Sequence, residues 1–187
     1  PAATPPWGAV SCWDGVAWTQ FGRVRGDAYG RLFLSPEGEL YVVGLLVGVD
    51  DVVAPGVVRW NGQGWESLFA GAYEGVAGLN HLVLALTEHQ GSVFMGGHFL
   101  SAGRQFSRGI ARWDGVRWQE VGGGIMEPAG RIGALASSGT RLFAGGAFTN
   151  IGGVPAANIA SWNGSAWEPL GARSEERRVG KECTVVC

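Results

Sequence analysis

Four copies of one short motif constrain this 187-residue chain more than any other feature. Each copy has Trp, then Asp or Asn, then Gly, two variable residues and a second Trp, and the first tryptophans lie 47, 53 and 49 residues apart. A motif that recurs at such a period predicts an array of similar structural units. The tryptophan pairs are Trp13 and Trp18, Trp60 and Trp65, Trp113 and Trp118, and Trp162 and Trp167, and the motif glycines are Gly15, Gly62, Gly115 and Gly164.

A second recurring element precedes the last three copies of the motif. It is "LYVVG" from Leu40, "VFMGG" from Val93 and "LFAGG" from Leu142, and each begins 20 residues before the first Trp of its copy. The distance from that Trp to the next apolar element varies. Constant spacing in one half of a repeat and variable spacing in the other predict a packed unit with one free loop.

The unit contains four short apolar segments, which in the third copy are "HLVLALT", "SVFMGG", "GIARW" and "VRWQEV". We expect each segment to be a β-strand. The Asp-Gly or Asn-Gly between the last two predicts a hairpin with a two-residue type I′ turn, which would place Trp113 opposite Val116. A four-residue loop would instead place Trp113 directly opposite Trp118. A three-residue loop would put the two indoles on opposite faces and is disfavoured.

A sheet of four short strands cannot bury both of its faces alone, so neighbouring units must cover it. Together with a period near 50, this predicts an all-β fold, a fragment of a β-propeller with about three and a half four-stranded blades. The expected parts are a linker or cut end at 1–6, then a partial propeller over 7–172 with a half blade at 7–22 and blades at 30–70, 78–122 and 131–171. Since this number does not close a ring, we expect missing blades of the same chain or, alternatively, assembly of several copies into a ring.

The repeats resemble those of the kelch and galactose-oxidase-like propeller superfamily. The resemblance rests on a strand that ends in Gly-Gly and is followed about 16 residues later by a hairpin Trp, as in "LFAGGAFTNIGGVPAANIASWNGSAWEPLG", and it covers residues 7–171. In composition and residue pattern the repeats are similar to those of secreted bacterial surface proteins and of fungal cortical polarity-marker proteins. The resemblance implies an extracellular or cell-surface location. The Tyr, Cys and His copper ligands of galactose oxidase match nothing here, although Tyr29, Tyr41 and Tyr73 are present, with Tyr41 expected in the core.

The segment at 173–187 differs in composition from the rest of the chain. It holds the single Lys, Lys181, and its "RSEERRVGKEC" resembles the in-frame translation of a common sequencing-library adapter. We therefore expect residues 173–187 to be a non-native tail on a reading frame that was truncated during assembly, as in metagenomic sequences. Cys183 and Cys187 would then have no biological role. Cys12 then remains alone, so neither a disulfide framework nor a thiolate metal site is implied.

Charge and hydropathy exclude several functions. With 14 basic and 16 acidic residues the formal net charge is −2, which is not the signature of a nucleic-acid-binding or polybasic membrane-binding surface. The longest apolar run is about ten residues, too short to span a bilayer.

No residue pattern points to a catalytic, metal or cofactor site. The histidines His81, His89 and His98 lack ligand spacing, and Asp50-Asp51 offers too few oxygen ligands for a calcium site. The glycines Gly122–Gly124 are expected to form turns rather than a phosphate cradle. The serines Ser107, Ser137 and Ser138 have no His partner in the sequence. Because the eight motif tryptophans recur in register, we expect them in the core rather than stacked on sugars, with only Trp7 outside the pattern.

The expected function is therefore a non-catalytic binding or scaffold module of a secreted or cell-surface protein, with an unknown protein or glycan as its ligand. Recognition is expected in the loops between second and third strands, "LVGVDDVVAPG", "LSAGRQFSRG" and "TNIGGVPAAN", because they vary on a constant frame. The alternative is the propeller part of a larger oxidase or carbohydrate-active enzyme, whose catalytic residues lie in missing sequence.

Overall fold

The computed structural model describes residues 7–26, 30–68, 76–77 and 82–170. Within these ranges every regular element is a β-strand and none is a helix, so the predicted all-β class is confirmed. The predictions for residues 1–6, for the tail at 173–187, and for Tyr29, Tyr73 and His81 lie outside the described residues.

The strands are short and are numbered in chain order. The first eight are β1 (Trp7–Trp13), β2 (Trp18–Gly26), β3 (Arg31–Leu34), β4 (Leu40–Val43), β5 (Leu46–Val49), β6 (Val52–Val53), β7 (Val57–Trp60) and β8 (Trp65–Ser67). The next seven are β9 (Val76–Ala77), β10 (Leu82–His89), β11 (Ser92–His98), β12 (Ser101–Ala102), β13 (Gln105–Phe106), β14 (Ile110–Trp113) and β15 (Trp118–Glu120). The last six are β16 (Arg131–Ser138), β17 (Arg141–Ala147), β18 (Asn150–Ile151), β19 (Val154–Pro155), β20 (Ile159–Trp162) and β21 (Trp167–Pro169).

Four antiparallel sheets of four strands organise these elements. In strand order they are sheet I (β1-β2-β5-β6), sheet II (β3-β4-β7-β8), sheet III (β10-β11-β14-β15) and sheet IV (β16-β17-β20-β21). Sheets II, III and IV share one topology, in which the strands are neighbours in chain order and the connection between the second and third strands carries a short hairpin. The four strands predicted for the third copy of the motif are confirmed as those of sheet III.

The register between the second and third strands explains the constant spacing of 20 residues. Leu40, Val93 and Leu142 each lie opposite the first Trp of their own copy. The hairpin that connects each of these partners has the same length in the three repeats, whereas the connection from one sheet to the next varies in length.

Sheet I differs from the other three. Its first two strands, β1 and β2, are the strand pair of the first motif copy, and β2 continues beyond residue 22 to Gly26. The remaining two strands, β5 and β6, belong to the connection within sheet II, and Val49 of β5 pairs with Val24 of β2. The hairpin of the following unit thus pairs with the half unit at the start of the array and completes its sheet.

The predicted two-residue type I′ turn is wrong, and the four-residue loop is correct. Trp113 lies opposite Trp118, and the other three pairs are matched in the same way. The reason is the side chain of the first loop residue. Asp114 Oδ1 accepts hydrogen bonds from the amides of Val116 and Arg117, both at 2.9 Å. The Asp therefore does not take the positive φ that a type I′ turn requires, and only Gly115, at φ 97°, does so.

The same loop residue makes a complementary contact with the residue five positions later. In the last three copies an amide faces a carboxylate, because the residue is Glu where the motif has Asn and Gln where the third copy has Asp, whereas the first copy has Asp14 and Thr19. The hydrogen-bonded pairs are Asn61–Glu66, Asp114–Gln119 and Asn163–Glu168.

The core lies between the sheets. Alternate residues of β11 face opposite neighbours, because successive side chains of a strand point to opposite faces. Val93 and Met95 pack in a cluster with Tyr41 of sheet II, whereas Phe94 packs in a cluster with Ile132 of sheet IV. Tyr41 is 1% exposed, as expected for a core residue.

The prediction that all eight motif tryptophans are core residues is wrong for the first copy. Trp118 and Trp167 are buried, and the other tryptophans of the last three copies are half-buried. Trp13 and Trp18, in contrast, are 50% and 71% exposed. The difference follows from neighbours, since the second Trp of a copy is covered by the preceding sheet and sheet I has no preceding sheet among the described residues.

Two of the covering contacts include a hydrogen bond from the indole to the main chain of the previous repeat. Trp65 Nε1 donates to the Phe21 carbonyl at 3.0 Å, and Trp167 Nε1 donates to the Val121 carbonyl at 3.3 Å. Both acceptors lie three residues after the second Trp of the preceding copy. A glycine follows each acceptor, and a Cβ atom on Gly122 would lie 2.3 Å from Trp162 Cζ3. The indole ring can lie against the main chain because these glycines have no side chain.

Replacing Gly122 by Ala tests this contact. Gly139 has the same φ of 56° but open space around it, so Gly139→Ala should cost only the left-handed backbone strain, about 1 kcal/mol. Gly122→Ala should cost about 1–3 kcal/mol more, because the new methyl group displaces the indole. Urea unfolding of both variants measures the difference, and equal losses would show that the indole does not need the glycine.

Candidate functional site

The loops in which recognition was expected are hairpins that tie neighbouring repeats together. The hairpin β5–β6 joins sheet I, and β12 pairs with β9, with Ala102 opposite Val76. In the last repeat Ile151 of β18 forms a bridge with Ile125, in the segment that follows β15. The same connection therefore reaches back to the previous repeat three times. The bases of these hairpins serve the fold, and Asp50 and Gly152 at two of the tips also bond to the previous repeat.

The hairpin tips differ strongly in chemistry. The first carries the acidic pair Asp50-Asp51 and the last carries Gly152-Gly153. The middle tip exposes Arg104, Gln105 and Phe106, and the Phe106 ring, 58% exposed, has the Arg108 guanidinium 4.9 Å from its centroid. A cationic group over an aromatic face gives this tip both a charge and an apolar surface.

The acidic pair Asp50-Asp51 lines a cavity together with arginine side chains, which distinguishes it from a calcium site made of oxygen ligands. Asp50 Oδ1 accepts a hydrogen bond from the Arg23 amide at 2.9 Å, and Asp50 takes a φ of 48° at the turn. Arg23 and Arg25 line the same cavity of about 650 Å³ together with both aspartates. Among the described residues no cluster of three or more His, Cys, Asp or Glu side chains could hold a metal ion.

A second cleft, of about 330 Å³, lies between sheets II and III at the opposite edge, where the turns between first and second strands meet the motif hairpins. Its lining includes Glu37, Glu39, Tyr41, Arg59, Glu88 and Trp113. The Tyr41 hydroxyl donates to Glu39 Oε2 at 2.6 Å, and Arg59 forms an ion pair with the same carboxylate. Burial raises the pKa of Tyr41, which keeps its hydroxyl protonated as a donor.

Two carboxylates in this cleft interact without an intervening cation. The side-chain hydrogen bond between Glu37 and Glu88 raises the pKa of Glu88 and lowers the pKa of Glu37. Beside the half-buried Trp113 ring, the cleft presents hydrogen-bond acceptors next to an aromatic surface.

The structure corrects the prediction that Ser137 has no histidine partner. His89, 3% exposed, lies between sheets III and IV, and its Nδ1 is 2.9 Å from Ser137 Oγ. Its ring also packs edge-on against Phe94. Burial lowers the pKa of His89, so the ring is neutral at pH 7. Of the other two serines, Ser107 is buried and Ser138 is exposed.

This Ser–His pair lacks the third member of a nucleophilic triad. Nε2 of His89 is buried and has no hydrogen-bond partner among the described residues, so no carboxylate there orients the ring. His89 and His98 lie at opposite ends of the β10–β11 strand pair, and the Nε2 of His98 is 3.2 Å from the Pro128 carbonyl. The pair acts as a polar link between two sheets.

The two contacts that were not expected from the sequence, His89 with Ser137 and Glu37 with Glu88, join residues that are about one repeat period apart. Ser137 follows His89 by 48 residues, close to the local period of 49, and Glu88 follows Glu37 by 51, close to the local period of 53. Residues about one period apart occupy similar positions in adjacent sheets and therefore meet across the interface.

The glycines Gly122–Gly124 form a turn, as expected, and all three have positive φ. Gly152 donates its amide to the Gly124 carbonyl at 2.7 Å, which fastens this turn to sheet IV. The three residues therefore join two sheets and do not form an open cradle.

Comparison with models of known protein families and with curated proteins gave no match to this chain. Within the described ranges, no helix has the length and apolar character needed to cross a membrane.

The buried His89 predicts a loss of stability on mild acidification. Its pKa lies below the usual value of about 6.5 in the folded chain, so the unfolded chain binds the proton more tightly. Stability that is present at pH 7.5 should fall as the pH drops through 6.5 towards the folded pKa. The measurement is the urea midpoint at pH 7.5 and 5.5 for wild type and for His89→Gln, which cannot titrate.

The variant should show a smaller midpoint change between the two pH values than wild type. His98→Gln, which removes a less buried histidine, should keep the wild-type pH dependence. An unchanged pH dependence in His89→Gln would contradict the assignment of the effect to His89.

Proposed function

We propose that the chain is part of a β-propeller of the kelch and galactose-oxidase-like type. In this proposal it serves as a non-catalytic binding or scaffold module of a secreted or cell-surface protein. The proposal is supported most directly by the three inter-strand hairpins, which share one frame and carry different tips. A rigid frame with variable exposed tips is the arrangement that binding modules use, because the tips can change without loss of the fold.

The propeller part of the proposal is supported by the stacking of the sheets. Sheets II, III and IV are four-stranded meanders that follow one another along the chain, and each packs on the next through buried apolar clusters. This is the arrangement of consecutive blades around a propeller axis. Further sheets of the same kind, from the same chain or from another copy of it, would complete the ring.

The tip at Arg104, Gln105 and Phe106 is the strongest candidate for ligand contact. It offers a guanidinium, an amide and a large exposed ring within a few residues, whereas the last tip offers glycines. Aromatic and Arg side chains contribute most to protein interfaces, and an aromatic ring with adjacent hydrogen-bonding groups is also suited to a sugar. A protein or a glycan ligand fits this chemistry.

The test is binding of the purified 187-residue chain to a glycan array and to a panel of purified extracellular proteins. A triple variant, Arg104→Ala with Gln105→Ala and Phe106→Ala, should bind the ligand with an affinity reduced by tenfold or more. The matched control, Glu37→Ala with Glu88→Ala, changes the opposite edge and should keep it. If the tip variant kept ligand binding and the control lost it, the assignment of ligand binding to the hairpin tips would be contradicted. If no ligand bound to the wild-type chain, a binding role would be contradicted.

A further inference from the structure

The two ends of the sheet array expose the two halves of an interface that is buried inside the chain. At one end, Trp13 and Trp18 of sheet I are 50% and 71% exposed. At the other end, Ile159 and Leu170 of the last repeat are 47% and 43% exposed. Exposed apolar side chains such as Val47 and Val116 also lie elsewhere on the chain, so exposure alone does not identify a covered surface. The comparison with equivalent residues of the other repeats does.

The repeat identifies what covers such a surface. Ile159 and Leu170 each lie 49 residues after an equivalent residue, Ile110 and Val121 respectively. Those equivalents are 0% and 3% exposed, and both lie in the buried cluster that sheet IV completes. The end surface of sheet IV is thus a copy of a surface that is covered by a following sheet within the chain.

The other end shows the same relation from the opposite side. Trp18 is the equivalent of Trp118 and Trp167, which are 2% and 4% exposed because a preceding sheet covers them. Inside the chain, the indoles of Trp65 and Trp167 each donate to the carbonyl three residues after the second Trp of the preceding repeat. In sheet IV, the residue three positions after Trp167 is Leu170.

We propose that a second copy of this chain covers each end, so that sheet I of one copy packs head to tail on sheet IV of another. In this contact the Trp18 indole donates its Nε1 hydrogen to the Leu170 carbonyl of the second copy and packs beside Ile159 of that copy. The contact continues the interface that already joins consecutive sheets of one chain. It does not rest on the ligand proposed above.

Because the two contacting surfaces are different, an open assembly of any size keeps one free sheet I surface and one free sheet IV surface. Such a heterologous contact repeats until it closes into a ring or extends into a filament. It also differs in its behaviour from a symmetric dimer, in which the same surface of both copies would meet.

Sedimentation equilibrium of the full 187-residue chain over a wide concentration range tests the proposal. Wild type should associate beyond the 19.6 kDa monomer. Trp18→Ala and Ile159→Glu, at opposite ends, should each weaken association by about tenfold or more. The control Val116→Glu removes an exposed apolar side chain from a motif loop of sheet III and should associate like wild type. Circular dichroism checks that each variant keeps its strand content.

Mixing the two end variants distinguishes the proposed contact from a symmetric one. Trp18→Ala retains the sheet IV surface and Ile159→Glu retains the sheet I surface, so an equimolar mixture should form 1:1 dimers and stop there. A monomeric wild type would overturn the proposal and assign these surfaces to further repeats or to another protein. Association that survives Trp18→Ala, or a mixture that stays monomeric, would overturn it as well.

Discussion

The contact on which the rest of this structure depends is an indole that lies on the main chain of the preceding repeat. Trp65 and Trp167 each donate a hydrogen bond to a carbonyl there, next to a glycine that leaves room for the ring. Burial of a whole indole removes roughly 150–250 Å² from water, which at ~25 cal/mol per Å² contributes about 4–6 kcal/mol before the entropy cost. No contact within a single four-stranded sheet of this size offers a comparable gain, so the sheets are stable as neighbours.

This dependence on neighbours also determines where the chain can vary. The hairpins between second and third strands must reach the previous repeat, and their bases are therefore held by strand pairs such as Val24 with Val49. The tips differ in charge and size. Asp50 and Gly152 at two of them also bond to the previous repeat, whereas the middle tip exposes the side chains of Arg104, Gln105 and Phe106. Function is for this reason more accessible at the tips and at the uncovered ends than within the sheets.

The sequence predicted most of the fold because its signals are local. Strand positions, the spacing of 20 residues and the hairpin at each Asp-Gly or Asn-Gly all follow from short patterns. The loop length was missed because the Asp114 side chain captures two amides, a contact that competes with the type I′ turn. The exposure of Trp18 and the pairing of His89 with Ser137 were missed because both depend on which sheet lies alongside, which no single repeat specifies.

Native-state hydrogen exchange of a Trp167→Phe variant tests most directly whether the indole joins consecutive sheets. The variant keeps an aromatic ring but loses the hydrogen bond to the Val121 carbonyl. The amide of Gly152, which bonds to the Gly124 carbonyl across the joint, should then exchange faster, while the amides of sheet II keep their protection. Wild-type protection at Gly152, with faster exchange confined to the hairpin of Trp162 and Trp167, would contradict this account.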